Sequence, residues 1–300
     1  MSWFNKGFYL GRKGMEVRRI SAGRQALRIA ASSLAVFLLL WLTAYTFRDR
    51  LIFHPVRGLE MTIEKTQWPF EEVWLETSRG RINGWYLPGP PGHYTALLLH
   101  GNGGNLTNMI GRMMSYHRLQ MGVLAIDYNG FGLSEGTPTL EGAVEGAVAA
   151  WDFLVETKGL YPRMIVVHGF SLGGGVAGQL LAQRPEPHPI VMEATFTSLT
   201  EEARIAAYPL TPLADLLLGG TYDTRKVLAG YRATAAIFMH SPDDEVVPYG
   251  LGRALFISYY GPKRWEILTG QHNDFPPNMG FLEIALAEEL KLTFEPPAES

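Results

Sequence analysis

The sequence predicts an α/β fold: a mainly parallel sheet flanked by helices, carrying a small cap and preceded by one N-terminal transmembrane helix. Three observations predict it. Short apolar runs alternate with helix-type segments between residues 71 and 294, the pattern of strands joined by helical crossovers. Residues 29–47 contain no charged side chain. Gly169-Phe170-Ser171-Leu172-Gly173 follows an apolar run and opens into a stretch of small residues, so a serine is expected at the tip of a sharp strand-to-helix turn.

The chain of 300 residues can bury a full sheet core without covalent staples. Its net charge of −3 gives no reason to expect a nucleic-acid partner. The absence of cysteine excludes disulfides, thiol catalysis, thiolate metal sites and palmitoyl anchoring, and is compatible with an oxidising compartment.

Residues 29–47, IAASSLAVFLLLWLTAYTF, are long enough to span a bilayer as a helix, with Trp41 and Tyr45 near the end as interfacial anchors. A buried core helix is the alternative. The flanks argue against it: Lys6, Arg12, Lys13, Arg18, Arg19, Arg24 and Arg28 precede the run, and Arg48, Arg50 and Arg57 follow it. The heavier basic flank predicts a cytoplasmic N-terminus and an extracytoplasmic large domain, on the periplasmic side if the source is bacterial. A cleaved signal peptide is the rival reading, but the basic region is long for one and no small-x-small site follows, which favours an uncleaved signal-anchor. The expected organisation is a basic segment over 1–28, the anchor over 29–47, a linker over 48–70, the α/β domain over 71–294 and a tail over 295–300.

Within the domain, 72–77 and 81–87 read as an early hairpin around Ser78-Arg79-Gly80. Residues 94–99 and 122–126 read as buried strands, and 140–157 as a helix with a small, apolar face. The run 164–167 is a strand leading to the serine turn. Residues 190–194, 234–239 and 264–268 supply further strands, and 278–292 the terminal helix. The segment 196–220, with Pro209 and Pro212, is irregular and is the expected small cap over the site; ordinary helix packing interrupted by two prolines is the alternative.

Glycines flanking Ser171 suit a nucleophile elbow, where the serine backbone is strained and neighbouring Cβ atoms would crowd it. Such a serine needs a base, an orienting carboxylate and an oxyanion hole. Asp243, Asp244 and Glu245 lie in a polar turn after the 234–239 strand, and spacing alone does not choose between the two aspartates. Glu193 is expected to support the site or a local hydrogen-bond network. His272 follows the last strand and has the chain order of a base. His100, His168, His188 and His240 fit that role less well: His188 is expected on the surface between prolines, and His240 is expected to pack or orient the acid loop. Leu172, the residue after the nucleophile, supplies one oxyanion N–H. The glycine-rich turn His100-Gly101-Asn102-Gly103-Gly104-Asn105 supplies the other, from Asn102. The turn lacks the lysine and hydroxyl of a phosphate-binding loop.

The constellation implies attack of Ser171 on an ester-like carbonyl, an acyl-enzyme and its hydrolysis, with no metal or organic cofactor required. A serine peptidase using the same residues and a catalytically silent membrane scaffold are the competing readings.

Together these residues resemble the α/β-hydrolase superfamily and, more narrowly, its membrane-anchored bud-emergence-type group, which is related to the protein-depalmitoylating hydrolases. The resemblance is carried by Leu51-Ile52-Phe53-His54-Pro55, the 100–105 turn, Asp127-Tyr128-Asn129-Gly130-Phe131-Gly132-Leu133-Ser134-Glu135-Gly136, the elbow, the 244–248 segment and Gly270-Gln271-His272-Asn273-Asp274. It covers roughly residues 51–292. It implies the α/β-hydrolase fold and a triad of Ser171, Asp244 and His272, the register of His240 to Asp244 selecting Asp244 over Asp243. It also implies esterase, lipase-like, thioesterase or peptidase activity, with an acyl ester or thioester, small molecule or lipid, as substrate. Many relatives carry arginine where this chain has Asn129, so a positive side chain at the rim of the site is expected to be missing. An extracytoplasmic domain makes cytoplasmic palmitoyl proteins poor substrates. The bilayer is the one partner that the anchor requires; the oligomeric state is not legible.

Overall fold

The computed structural model describes residues 11–61, 68–206, 208–209, 211–274 and 279–292. The chain divides into two compact units, Met1–Arg48 and Asp49–Ser300. The first holds helix α1, Gly11–Thr46. Within it, Arg24–Thr46 has a mean hydropathy of 1.9 and is long and apolar enough to cross a membrane, about 35 Å for its 23 residues at the helical rise. Leu27, Leu39 and Leu40 are more than half exposed, unlike the side chains of a core helix. The hydroxyls of Thr43 and Thr46 donate to the carbonyls of Leu39 and Leu42, which satisfies them without water. The helix extends back through much of the basic segment, so residues 11–28 are continuous with the apolar run; residues 1–10 lie outside the described residues.

The second unit begins with a short helix α2 (Arg48–Ile52, its first residue belonging to the other unit) and a two-residue strand β1 (His54–Pro55). There follow β2 (Glu71–Leu75), β3 (Ile82–Leu87), β4 (Thr95–Leu99), β5 (Gly103–Gly104), α3 (Ile110–Arg118) and β6 (Gly122–Ile126). Then come α4 (Leu140–Asp152), β7 (Ile165–Phe170), α5 (Leu172–Gln183), β8 (Ile190–Glu193), α6 (Leu199–Ala206) and α7 (Thr211–Leu218). The chain continues through α8 (Thr224–Gly230), β9 (Ala236–His240), α9 (Tyr249–Ser258), β10 (Arg264–Ile267) and α10 (Met279–Glu289). Helices α3, α8 and α9 lie where the sequence reading assigns no element. The 140–157 helix is α-helical to Asp152 and π-helical over Phe153–Thr157.

The main sheet has eight strands in the order β10-β9-β8-β7-β4-β6-β3-β2. β2, β3 and β6 pair antiparallel and all other neighbours pair parallel. The inner parallel strands β4, β6, β7, β8 and β9 are near-continuous apolar runs because helices cover both faces. In β4 the alternation divides one strand between two cores: Leu97 and Leu99 join the cluster under α4 and α5, while Ala96 and Leu98 join that under α3 and α10. Helix α4 is capped by the Thr139 hydroxyl accepting the Gly142 N–H, and its buried face of Gly142, Ala143, Gly146, Ala147 and Ala150 lets it lie close to the sheet.

The winding direction reverses at β4. β6 lies on one side and β7 on the other, so the loops that leave the ends of β4 and β7 emerge together at a topological switch point. Register fixes this closely: Leu99 pairs with Gly169, which brings the 100–105 turn beside Ser171.

Leu98 is fully buried in the central strand, so Leu98→Ala is expected to cost about 2–5 kcal/mol of unfolding free energy. Denaturant unfolding of the detergent-solubilised protein measures this; a loss below about 1 kcal/mol contradicts the assigned packing.

Candidate active site

The apolar run before the serine turn ends at Val167. Strand β7 instead continues through His168 and Gly169 to Phe170, so the chain turns at Ser171 itself. Ser171 adopts φ 54° and ψ −121°, with φ in the left-handed region that a side chain rarely occupies. Hydrogen bonds hold it there. Its N–H donates to the Glu193 carbonyl (2.9 Å), and its own carbonyl accepts from the Thr195 hydroxyl (2.7 Å) and the Gly174 N–H (2.9 Å). The glycines follow from close approach. A Cβ on Gly173 would overlap the Leu99 carbonyl, one on Gly174 the Thr195 side chain, and one on Gly169 the backbone of Gly173 and Gly174.

The structure brings Ser171, His272 and Asp244 together from three strand ends. His272 Nε2 lies 2.9 Å from Ser171 Oγ, and His272 Nδ1 lies 2.7 Å from Asp244 Oδ2. A ring nitrogen facing a carboxylate carries the proton, which leaves Nε2 to accept from the serine hydroxyl. Asp243 and Asp244 diverge: Asp243 is exposed, whereas the Asp244 side chain is fully buried. Asp244 Oδ1 accepts the N–H groups of Val246 (3.0 Å) and Val247 (2.8 Å), and His240 Nε2 lies 3.1 Å from Oδ2. Burial pushes the Asp244 carboxyl up, but the hydrogen bonds from His240 and His272 and the Val247 N–H outweigh it and hold it below the usual carboxylate range. Glu245 accepts the backbone N–H of His272 at 2.9 Å, so it steadies that residue without facing its imidazole.

Leu172 is the first residue of α5, so its N–H has no helical carbonyl to bond and lies beside Ser171. Gly101 lies against Ser171: a Cβ on it would stand 3.4 Å from the Ser171 Cβ. His100 Nδ1 donates to the Gly101 carbonyl at 2.7 Å. In a trans peptide the N–H of the next residue points opposite to that carbonyl, so the Asn102 N–H is turned away from the His100 ring.

Two buried clusters surround these residues. In the first, Arg112 forms a two-point ion pair with Glu193 (2.8 and 2.6 Å), and Glu193 also accepts from His168 Nε2 (2.9 Å), whose Nδ1 faces the Tyr116 hydroxyl (3.0 Å). The Arg112 guanidinium lies 4.1 Å from the Phe170 ring centre, and that ring stacks on His272 at 5.1 Å. Burial raises the Glu193 carboxyl, but the charge and hydrogen bonds of Arg112 and those of His168 hold it well below the usual range. The expectation for Glu193, a local supporting network, describes this arrangement. Arg112 has no signal in the sequence because α3, which carries it, has none.

The second cluster is Asp127 and His100. Asp127 is fully buried; its Oδ1 accepts the Leu106 N–H (2.9 Å) and lies 3.5 Å from His100 Nε2. Burial pushes the Asp127 carboxyl up to about 8, against the lowering effect of the Leu106 N–H, and burial lowers His100 to about 4. Both are therefore neutral at pH 7. On α6, Glu202 has a buried Oε2 with no hydrogen-bond partner, and burial followed by the like charge of Asp244 raises its carboxyl to about 7.

Two residues lie deeper than expected. His188 is fully buried rather than on the surface, because its backbone carries the chain into β8; its Nδ1 lies 2.9 Å from the Tyr231 hydroxyl, and burial lowers it to about 4. Position 129 is not at the rim: Asn129 is fully buried and its amide points at the carbonyls of Arg79 and Gly80 in the 78–80 turn.

Asp127 gives a pH prediction with a definite sign. An unfolded aspartate ionises near pH 4, whereas folded Asp127 keeps its proton to about pH 8. The folded state then binds the extra proton, so this group makes stability fall as pH rises from about 4 to about 8, with no further loss above. Asp127→Asn is expected to remove that slope. Denaturant midpoints of the two proteins across this range test it, and parallel curves refute it.

No family model matches the chain. Rv2307c, an uncharacterized protein of Mycobacterium tuberculosis, is 31% identical over 264 residues, covering 87% of this chain and 91% of the relative. The α/β hydrolase domain-containing protein WAV2 of Arabidopsis thaliana is 29% identical over 58% of this chain and 59% of its own. The lysophosphatidylserine lipase ABHD12 of Bos taurus is 29% identical over 61% of this chain and 50% of its own. Among solved structures, the Pyrococcus furiosus esterase Pf2001 superposes with a TM-score of 0.64 at 19% identity, covering 80% of this chain and 97% of that one. An α/β hydrolase of Vibrio vulnificus gives 0.62 at 23% identity over 73% and 81%. With its switch-point sheet and these structural likenesses, the chain has the α/β-hydrolase fold, and it belongs to one family with Rv2307c.

Proposed function

We propose that the protein is a membrane-anchored serine hydrolase that cleaves carboxylic ester or thioester bonds of acyl substrates. The observation that carries this reading is the continuous relay from Ser171 Oγ through His272 to Asp244, at 2.9 and 2.7 Å, on a serine with φ 54°. Within the superfamily we assign the chain to the bud-emergence-type group, on the motifs quoted above. The helix Arg24–Thr46 anchors it to a bilayer, with the N-terminus cytoplasmic and the hydrolase domain outside. We also assign the α6–α7 hairpin as the small cap.

His272 Nε2 takes the Ser171 proton as Oγ attacks the acyl carbonyl. The Leu172 and Asn102 N–H groups stabilise the oxyanion, and Asp244 stabilises the imidazolium. Collapse of the tetrahedral intermediate breaks the bond to the alcohol or thiol, which leaves with the proton from His272. Water, deprotonated by the same histidine, then attacks the acyl-enzyme; its proton returns to Ser171 and the carboxylic acid departs. A relative named as a lysophosphatidylserine lipase supports a lipid ester as one substrate class.

Fluorophosphonate labelling of the detergent-solubilised chain is expected to occur in the wild type and vanish in Ser171→Ala. Asp244→Asn and His272→Ala are expected to lower ester turnover by roughly 10³-fold or more. Acyl esters, acyl thioesters and aminoacyl amides serve as parallel substrates. Cleavage of the amides alone assigns a peptidase instead, and a folded wild type that neither labels nor turns over any of them overturns the hydrolase reading.

A further inference from the structure

The segment that follows the apolar helix is bonded to the turn that carries Asn102. Strand β1 pairs in parallel with β5, His54 opposite Gly103 and Pro55 opposite Gly104. The His54 N–H donates to the Asn102 carbonyl at 2.7 Å, and the Asn102 side-chain amide donates to the Ile52 carbonyl at 3.0 Å. The Val56 N–H donates to the Gly104 carbonyl at 3.2 Å. Asn105 reaches back to the carbonyls of Val56 (3.3 Å) and Gly58 (2.8 Å).

The far end of this strap is fastened to a different loop. The Gly58 N–H donates to the Gly132 carbonyl and the Gly132 N–H to the Val56 carbonyl, both at 2.9 Å. Arg57 donates to the carbonyls of Ser134 (3.0 Å) and Gly136 (2.7 Å). Phe53 is 2% exposed and packs edge-on against Phe131, which in turn lies against the His100 ring at 4.8 Å. Asn102 is therefore held on three sides. The strap takes its carbonyl and its side chain, and the His100 bond to Gly101 fixes the peptide plane that bears its N–H.

We propose that residues 52–58 are a positioning element of the oxyanion hole, which aims the Asn102 N–H at the position the substrate oxyanion occupies. This rests on the serine-hydrolase reading above. The bonds of the strap run to the 100–105 and 132–136 loops and not to the Ser171–His272–Asp244 relay. Its effect therefore falls on stabilisation of the oxyanion and leaves the base unaltered. A two-residue strand has little cohesion of its own. Its docking is a separate condition for turnover, imposed on the chain soon after the apolar helix.

The test uses the full-length, detergent-solubilised chain, with active serines counted by fluorophosphonate titration so that misfolded protein does not enter the rate. His54→Pro removes the N–H that holds the Asn102 carbonyl, and His54→Ala keeps it. Per titrated serine, kcat of His54→Pro is expected to fall about 10–100-fold below that of His54→Ala, a little less than the loss of a whole oxyanion donor, with KM and the pH profile unchanged. Asn102→Ala, which keeps its backbone N–H but loses the bond to Ile52, is expected to lose several-fold in kcat with KM held. Equal kcat for the two His54 variants, or a change in KM alone for Asn102→Ala, overturns the inference while leaving the serine hydrolase intact. If His54→Pro does not fold, Asn102→Ala decides by the same split. A wild type without a titratable Ser171 instead rejects the underlying reading.

Discussion

The left-handed backbone of Ser171 is the constraint around which the site is built. A residue with φ 54° persists only where its surroundings supply the compensating bonds. Here they come from the neighbouring strand end: the Glu193 carbonyl takes the Ser171 N–H and the Thr195 hydroxyl supports its carbonyl. The turn can sit there because Gly173 passes directly over the end of β4 and Gly174 over Thr195, where any side chain would collide. The same closeness brings the 100–105 turn beside Ser171, so one packing condition sets both the serine and the turn that carries Asn102.

Charge around this turn is arranged by partner rather than by depth. Asp244, Glu193 and Asp127 are all buried carboxyls. Asp244 has two histidines and two backbone N–H groups, and Glu193 has an arginine and a histidine, so both stay ionised. Asp127 has one N–H and a histidine that burial keeps neutral, so it holds its proton. The ionised pair of Arg112 and Glu193 also reaches His272, through the Phe170 ring that stacks on it. The site thus rests on a buried floor, with one polar network under the elbow and another under the glycine turn.

Much of this is legible in the sequence. Apolar runs of strand length locate the parallel strands, because strands covered on both faces must be apolar throughout; the one before the elbow runs three residues further than the apolar run suggests, since His168 is tolerated in the core through its bonds to Glu193 and Tyr116. The chain order of serine, acid and histidine, each after a strand, marks three residues that lie in contact. The apolar run over 29–47 marks a helix that is exposed and apolar. Helices α3, α8 and α9 are not legible, since short helices in a large domain are defined by what they pack against and carry weak periodicity. Arg112 is hidden for the same reason. His188 reads as a surface residue because prolines flank it, yet those prolines bring the chain into the sheet.

The residues alone specify the elements of this protein and the inventory of its chemistry, because strand hydrophobicity, glycine at a crowded turn and the identity of a nucleophile are local properties. The folded arrangement was needed to decide which carboxyls keep their charge and that the strap after the apolar helix closes on Asn102. Those outcomes depend on groups distant in the chain, and burial, hydrogen bonding and charge are set by the neighbours that folding provides.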